Sequence, residues 1–236
     1  MADSRMSKKT IIITGVSSGL GRALFDIVSA ADVRLICISR SFLKYQTASA
    51  GEDLVLLPCD LGKLREVTPF LQKLAGLLKN TSDITFISNA ATIEPIGSVG
   101  ELDDAAILAA VQTNYVSPMR ITNMLCALKN AQKLSFIYVS TGAARTPIVG
   151  WSLYCSTKAA LKMFFTVLEA QYKNDKRVSV HEFDPGVIDT PMQAQIRKSS
   201  KKDFPRLLEF KVLKKTHMLS DPHDVAKKLV NRYIHV

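Results

Sequence analysis

Tyr154 and Lys158 stand four residues apart in Trp151-Ser152-Leu153-Tyr154-Cys155-Ser156-Thr157-Lys158, ahead of an apolar run to about Tyr172. If this run is helical, the two side chains share one face, one turn apart. A free phenol has a pKa of about 10, too high for it to exchange protons readily at neutral pH. A nearby ammonium favours the phenolate and lowers that value. One unit corresponds to roughly 1.4 kcal/mol, so one well-placed cation in a partly dry site could lower the pKa by two or three. Such a tyrosine is suited to protonating a carbonyl oxygen. The plainer reading is a surface tyrosine beside a solvated lysine, and a lone Y-x-x-x-K does not decide between the two.

A second group could hold a phosphate. Gly15-Val16-Ser17-Ser18-Gly19-Leu20-Gly21 directly follows the β-branched run Lys9 to Thr14 and precedes apolar residues at helical spacing from Arg22 to Ala30. Strand, glycine-rich turn and helix open a βαβ nucleotide unit. The glycines permit a tight turn and close approach to a pyrophosphate, and the helix start offers unpaired N–H groups to it. The spacing is G-x-x-x-G-x-G. The next strand, Val33 to Ser39, ends in Arg40-Ser41-Phe42 with no acid where a ribose 2′-hydroxyl would be held; Asp32 is at its other end. A guanidinium there suits a 2′-phosphate, through charge and paired hydrogen bonds.

These groups need strands to deliver them. Leu54 to Cys59 predicts a third strand leading to Asp60-Leu61, and Leu64 to Leu78 a helix. Ile84 to Ser88 predicts a fourth strand leading to Asn89-Ala90-Ala91. Residues 103–128 predict one long helix with Asn114 inside it. Asparagine is unfavourable in a helix interior, which suggests a side-chain task. Leu134 to Val139 predicts a fifth strand that delivers Ser140-Thr141-Gly142-Ala143, and Val178 to Phe183 a sixth that delivers the loop Asp184 to Met192. A basic, helical stretch is expected over 192–216, and a last helix over Asp221 to Arg232, with Ser220 as N-cap and Pro222 in its first turn. Strand and helix alternate throughout. The expected fold is therefore α/β, a doubly wound parallel sheet of Rossmann-like type in one domain spanning 1–236.

Composition narrows the function classes. The chain has 236 residues, 47% hydrophobic, enough for one large core. No stretch approaches the length of a membrane span, and Met1 to Lys9 lacks an apolar signal core, so neither a membrane partner nor export is expected. The four cysteines are scattered, without metal-ligand spacing; neither a metal nor a disulfide framework is expected, and a reduced, cytoplasmic location fits. The formal net charge is +10, with eight Lys or Arg between Arg197 and Lys215. There is little aromatic interleaving, so a solvated face is the expected reading and nucleic acid is not an expected partner.

Taken in order, Thr14-Gly15-x-x-x-Gly19-x-Gly21, Asp60-Leu61, Asn89-Ala90-Ala91, Asn114, Ser140, Tyr154-x-x-x-Lys158 and Pro185-Gly186 resemble the short-chain dehydrogenase/reductase family over about residues 9–192. The resemblance implies NADPH-dependent carbonyl reduction by Asn114, Ser140, Tyr154 and Lys158. Ser140 would hydrogen-bond the substrate carbonyl and Tyr154 would donate the proton. Lys158 would depress the tyrosine pKa and bind the nicotinamide ribose. Asn114 would hold a water linking Lys158 to solvent. NADP(H) would lie against Gly15, Ser17, Ser18, Gly19, Leu20, Gly21, Arg40, Ser41, Asp60, Leu61, Asn89, Ala90, Ala91, Tyr154, Lys158, Pro185, Gly186, Val187, Ile188 and Thr190.

The runs Gly150 to Lys158 and Pro185 to Arg197, continued through Ser199 to Phe204, are similar to the benzil reductase group, close to sepiapterin reductases. That similarity implies a 1,2-diketone or related activated carbonyl substrate, held by Ser140, Tyr154 and Trp151, under a lid of about 190–216. A pterin reductase and a non-catalytic NADP(H) sensor or binding protein are the alternatives; a sensor need not keep the proton relay. The chain departs from the family's pattern at Ala91, at Thr141 after Ser140, and at its end. Val236 follows the last helix directly, so six strands are expected without the usual seventh, and a homodimer through the helices near 103–128 and 152–172.

Overall fold

The computed structural model describes residues 8–234. The reading of Met1 to Lys9 falls almost wholly outside that range, as do the last two residues. The chain runs β1 (Thr10–Thr14), α1 (Gly19–Val28), β2 (Arg34–Ser39), α2 (Lys44–Ala48), β3 (Leu54–Pro58), α3 (Leu64–Leu77), β4 (Asp83–Ser88), α4 (Asp104–Val111), α5 (Ser117–Cys126), β5 (Lys133–Val139), α6 (Ser152–Gln171), β6 (Val178–Phe183), α7 (Pro191–Ile196), α8 (Leu207–Lys215) and α9 (Pro222–Tyr233). Every strand pairs parallel with its neighbours, in the order β3-β2-β1-β4-β5-β6. The expected doubly wound sheet is thus present, and there is no seventh strand among the described residues.

Strand alternation sorts the core into two layers. Ile11 and Ile13 face one way with Leu35, Cys37 and Ile137, under Leu24, Phe25 and Val28 of α1 and Val225, Leu229 and Val230 of α9. Ile12 faces the other way with Ile36, Phe86, Phe136 and Tyr138, under Val67 and Leu74 of α3, Ile121 and Leu125 of α5, and Leu161 and Phe165 of α6. Both faces are covered, which is why the strands are near-continuous apolar runs. The edge strand β6 is only half-buried. There α9 provides cover: Tyr233 stacks on His181 at 4.9 Å and donates to the Glu182 carbonyl at 3.1 Å.

Three boundaries differ from the sequence expectation. The long helix over 103–128 is broken by a π-helical turn, Gln112–Val116, which contains Asn114. The Asn114 side chain explains it by bonding sideways to another segment, as shown below. Asp221, and not Ser220, caps α9; its carboxylate accepts from the His223 and Asp224 amides at 2.7 and 3.2 Å. The basic stretch is not one helix. Between α7 and α8 the chain turns so that Phe204 can be fully buried against Trp151. Several of its charges are paired outward, as Lys202 is with Glu101 and Arg206 with Glu209, whereas Arg197 is half-buried and its Nη1 has no hydrogen-bond partner among the described residues.

The α6 layer rests on Phe165, which is fully buried and stacked on Tyr138 with ring centroids 4.6 Å apart. Replacing it leaves a cavity under the helix that carries Tyr154. Phe165→Ala should cost about 3–5 kcal/mol in urea unfolding. A loss below about 1 kcal/mol would show that α6 is held by other contacts.

Candidate active site

The site begins where β1 and β4 end side by side. Thr14 closes β1, and its hydroxyl accepts from the amides of Asn89 and Ala90, each at 3.0 Å. The Asn89 side-chain amide donates back to the Thr14 carbonyl at 2.8 Å and the Gly15 carbonyl at 3.3 Å. Beyond this clasp the chain leaves β1 through Gly15, whose φ of +76° is a left-handed conformation that glycine tolerates. Gly21 in the first turn of α1 lies so close that a Cβ there would sit 2.0 Å from the Gly15 oxygen. The first N–H groups of α1 have no partners within the helix and can serve an anion.

On the other side of the crevice, α6 presents Tyr154 and Lys158, both buried. The lysine Nζ donates to the Val139 carbonyl at 2.9 Å and lies 6.0 Å from the centre of the tyrosine ring. Burial brings the Lys158 ammonium down to about 8. Burial also pushes the Tyr154 phenol up to about 12; a hydrogen bond from Thr141 pulls it the other way and the charge on Asp184 adds to the rise. The expected depression of this phenol by Lys158 is therefore not the dominant effect. The ammonium is directed at a backbone carbonyl, and removal from water outweighs the pull of one cation. At neutral pH the phenol is fully protonated, which is the form a proton donor needs.

With two exceptions, the residues singled out from the sequence line one cavity of about 1120 Å³, from the glycine turn and Arg40 to Ser140, Trp151 and the loop Pro185 to Thr190. The exceptions are Ser41, which is exposed beside the cavity, and Asn114, which lies behind its wall. The Asn114 Oδ1 accepts from the Thr92 amide at 2.8 Å. Its Nδ2 donates to the Thr92 carbonyl at 2.9 Å and to Thr157 Oγ1 at 3.2 Å. Asn114 thus ties the loop after β4 to α6, and the π-helical turn places it to do so.

Trp151 precedes α6 and is buried. It stacks on Phe204 at 4.9 Å and meets Tyr154 and Phe210 edge-on at 5.7 and 5.4 Å. Ile93, Ile148, Met192, Ile196 and Phe210 complete an apolar wall that the sequence reading did not assemble. Spacing alone could not have found it, because the wall comes from three separate segments. Glu182 was also missed. It lies on β6 in register with Tyr138, where its carboxylate meets Ser140, Arg145 and Lys162. A charged residue in an otherwise strand-like run was the available signal.

The residues fit a nicotinamide dinucleotide: a glycine cradle that a Cβ would fill, a helix start, and a cavity of about 1120 Å³ lined from the glycine turn to Tyr154. Among the described residues no cluster of His, Cys, Asp and Glu could hold a metal ion, and no helix is long and apolar enough to cross a membrane.

This fold and site define an oxidoreductase class, and the sequence agrees: the short chain dehydrogenase profile matches residues 9–201, so the chain belongs to that family. It is 32% identical over 229 residues to a benzil reductase ((S)-benzoin forming) of Bacillus cereus, covering 94% of this chain and 92% of the relative. It is 30% identical over 240 residues to the sepiapterin reductase of Mus musculus, covering 93% and 89%. In structure it resembles the KRED1-Pglu enzyme, with a TM-score of 0.82 at 24% identity over 96% of this chain and 95% of that one.

Lys158 carries a pH signature. Its pKa falls from 10.5 unfolded to about 8 folded. Between those values the unfolded chain holds a proton that the folded protein has lost, so stability rises with pH. Measured by urea unfolding, wild type minus Lys158→Met should move in favour of wild type by up to about 3 kcal/mol between pH 7.5 and 10.5. A difference that does not change with pH would overturn the assignment.

Proposed function

We propose that the protein is an NADPH-dependent carbonyl reductase of small or aromatic 1,2-dicarbonyls, working as a cytoplasmic homodimer. The observation that carries the reading is the reach and lining of the cavity at the strand ends. Arg40 follows β2 and Tyr154 stands beside β5, three strand spacings away across the sheet, roughly 14 Å. That span suits a dinucleotide laid across the β1/β4 switch point. At the Tyr154 end the wall is aromatic and aliphatic, which suits an uncharged aromatic substrate. No acid stands at the end of β2, and Arg40 there favours the 2′-phosphate.

In this reading the glycine turn, Arg40 and the loop Pro185 to Thr190 hold NADPH, which when bound supplies the hydride. The chain's own residues do the rest. Trp151, Phe210 and Met192 exclude water and orient the substrate ring. Tyr154, fully protonated, donates to the carbonyl oxygen, assisted by a hydroxyl from the Ser140–Thr141 pair. Lys158 holds positive charge behind the phenol as it loses its proton. The segment 190–216, with Phe204 and Phe210, serves as a lid over the substrate.

The direct test follows absorbance at 340 nm with benzil, phenylpropanedione, diacetyl, sepiapterin and simple aldehydes, each with NADPH and NADH. Diketones should turn over with a strong NADPH preference, and Tyr154→Phe should lose at least about 100-fold in kcat while binding NADPH as before. Reduction of sepiapterin alone would move the assignment to a pterin reductase. Near-normal turnover by Tyr154→Phe would remove the proposed proton donor. Full NADPH binding with no turnover on any carbonyl would favour the sensor reading.

The homodimer reading rests on an apolar surface. Met163 and Val167 lie one turn apart on α6 and are 63% and 56% exposed, and Leu108 on α4 is 70% exposed. Wild type should sediment as a dimer at micromolar concentration, and Met163→Glu with Val167→Glu as a monomer. A monomeric wild type would rule the dimer out.

A further inference from the structure

The apolar end of the cavity holds one buried amide. Gln193 stands on α7 between Met192 and Ile196, lines the cavity with them, and is 8% exposed. Its backbone is fixed. Thr190 caps α7, and its hydroxyl accepts from the Gln193 backbone N–H at 3.5 Å. Thr190 in turn lies against the glycine turn, where a Cβ on Gly19 would sit 3.0 Å from its Cγ2. The side chain has no such anchor. Its Oε1 is buried and has no hydrogen-bond partner among the described residues. Buried polar groups are nearly always paired, and one left alone costs about as much as a lost hydrogen bond. The neighbours on its own helix offer no partner: Met192 and Ile196 belong to the apolar cluster around Trp151 and Tyr154. The Nε1 of Trp151 is unpartnered too. That indole is clamped by its stack on Phe204 and by the edges of Tyr154 and Phe210. The glutamine, by contrast, can turn its amide about the last bond and present nitrogen or oxygen with nearly the same shape.

We propose that Gln193 selects a dicarbonyl: its side-chain Nε2 donates to the second carbonyl oxygen of the substrate while the first carbonyl lies at Tyr154. The inference rests on the carbonyl-reductase reading and gives the vicinal diketone a physical reason. A monoketone of similar shape would fill the apolar wall as well but leave the amide unpaired. A dicarbonyl pairs it, and two contacts, one at each oxygen, hold the reacting carbon in one orientation.

Two substrates and two variants test it. Phenylpropanedione carries the second carbonyl; 2,2,2-trifluoroacetophenone is activated by fluorine instead and lacks it. Gln193→Met keeps the unbranched shape and removes the amide. The ratio of kcat/KM for the diketone over the trifluoroketone should fall about tenfold or more in that variant, with NADPH affinity retained. An unchanged ratio, with both ketones slowed alike, would make Gln193 a packing residue and overturn the proposal. A variant whose only defect is weaker NADPH binding overturns it too. Gln193→Glu adds a pH signature, because a protonated carboxyl donates and an ionised one only accepts. Relative to wild type, its ratio should be restored on the acid side of a titration between about pH 5 and 9 and lost on the alkaline side. A ratio that does not follow pH overturns the assignment.

A second readout needs no turnover. Trp151 is the chain's single tryptophan and stands in the cavity wall, so its emission reports on this end directly. In the NADP+ complex, which has no hydride to give, phenylpropanedione should quench that emission with a Kd about tenfold higher in Gln193→Met than in wild type. Equal Kd values would overturn the proposal. A wild type that reduces neither ketone would count against the reductase reading, while this titration would still decide whether Gln193 holds the diketone.

Discussion

The clasp between Thr14 and Asn89 is the constraint on which the rest depends. β1 and β4 are adjacent and parallel, yet their chains leave toward opposite faces of the sheet, so a crevice must open between them. The backbone groups exposed there need partners, and one threonine hydroxyl and one asparagine amide supply them. With the strand ends fixed, Gly15 can turn at positive φ and Gly21 can bring α1 onto the Gly15 carbonyl. A larger side chain at Gly21 would push the helix start away from the crevice. The shape of the glycine-turn end of the cavity is in this sense a result of packing.

The chemical end follows from a different balance. Tyr154 and Lys158 are both buried, and burial acts on them in opposite directions, raising the phenol and lowering the ammonium. Each is thereby biased toward its neutral form. The aromatic cluster of Trp151, Phe204 and Phe210 helps to maintain that dryness. Gly150 makes the cluster possible. Its φ is +89°, and a Cβ there would lie 2.1 Å from the Asp203 carbonyl, so the segment carrying Phe204 seats directly on the entry to α6.

Against this dry wall stands an ionic one. Glu182 gathers Ser140, Arg145 and Lys162, and Arg145 continues to Asp184 at the start of the loop that lines the cavity. Strand alternation explains why one hydroxyl joins this network and the next does not. Tyr138 and Ser140 share a parity, and register pairs Tyr138 with Glu182, so Ser140 comes off the strand on the carboxylate's side. Thr141 has the opposite parity.

Much of this was legible in the residues alone. All six strands lie within one residue of where β-branched, apolar runs placed them, because a strand buried on both faces must be apolar along its length. That the glycine turn, Arg40, Tyr154 and Lys158 line one cavity was legible because each stands at or just after a strand end or on one helix face, which local spacing sets. The π-helical turn at Asn114, the aromatic wall and the ion network around Glu182 were not. Each depends on residues far apart in the chain, Asn114 with Thr92, Trp151 with Phe204, Ser140 with Glu182, and local sequence holds no record of such pairings. The sequence by itself determined the strands, the glycine-rich turn after β1 and the spacing of the tyrosine–lysine pair. Only the tertiary structure decided that Ser140 faces a carboxylate and that Trp151 stacks on Phe204, because strand register and packing set those directions.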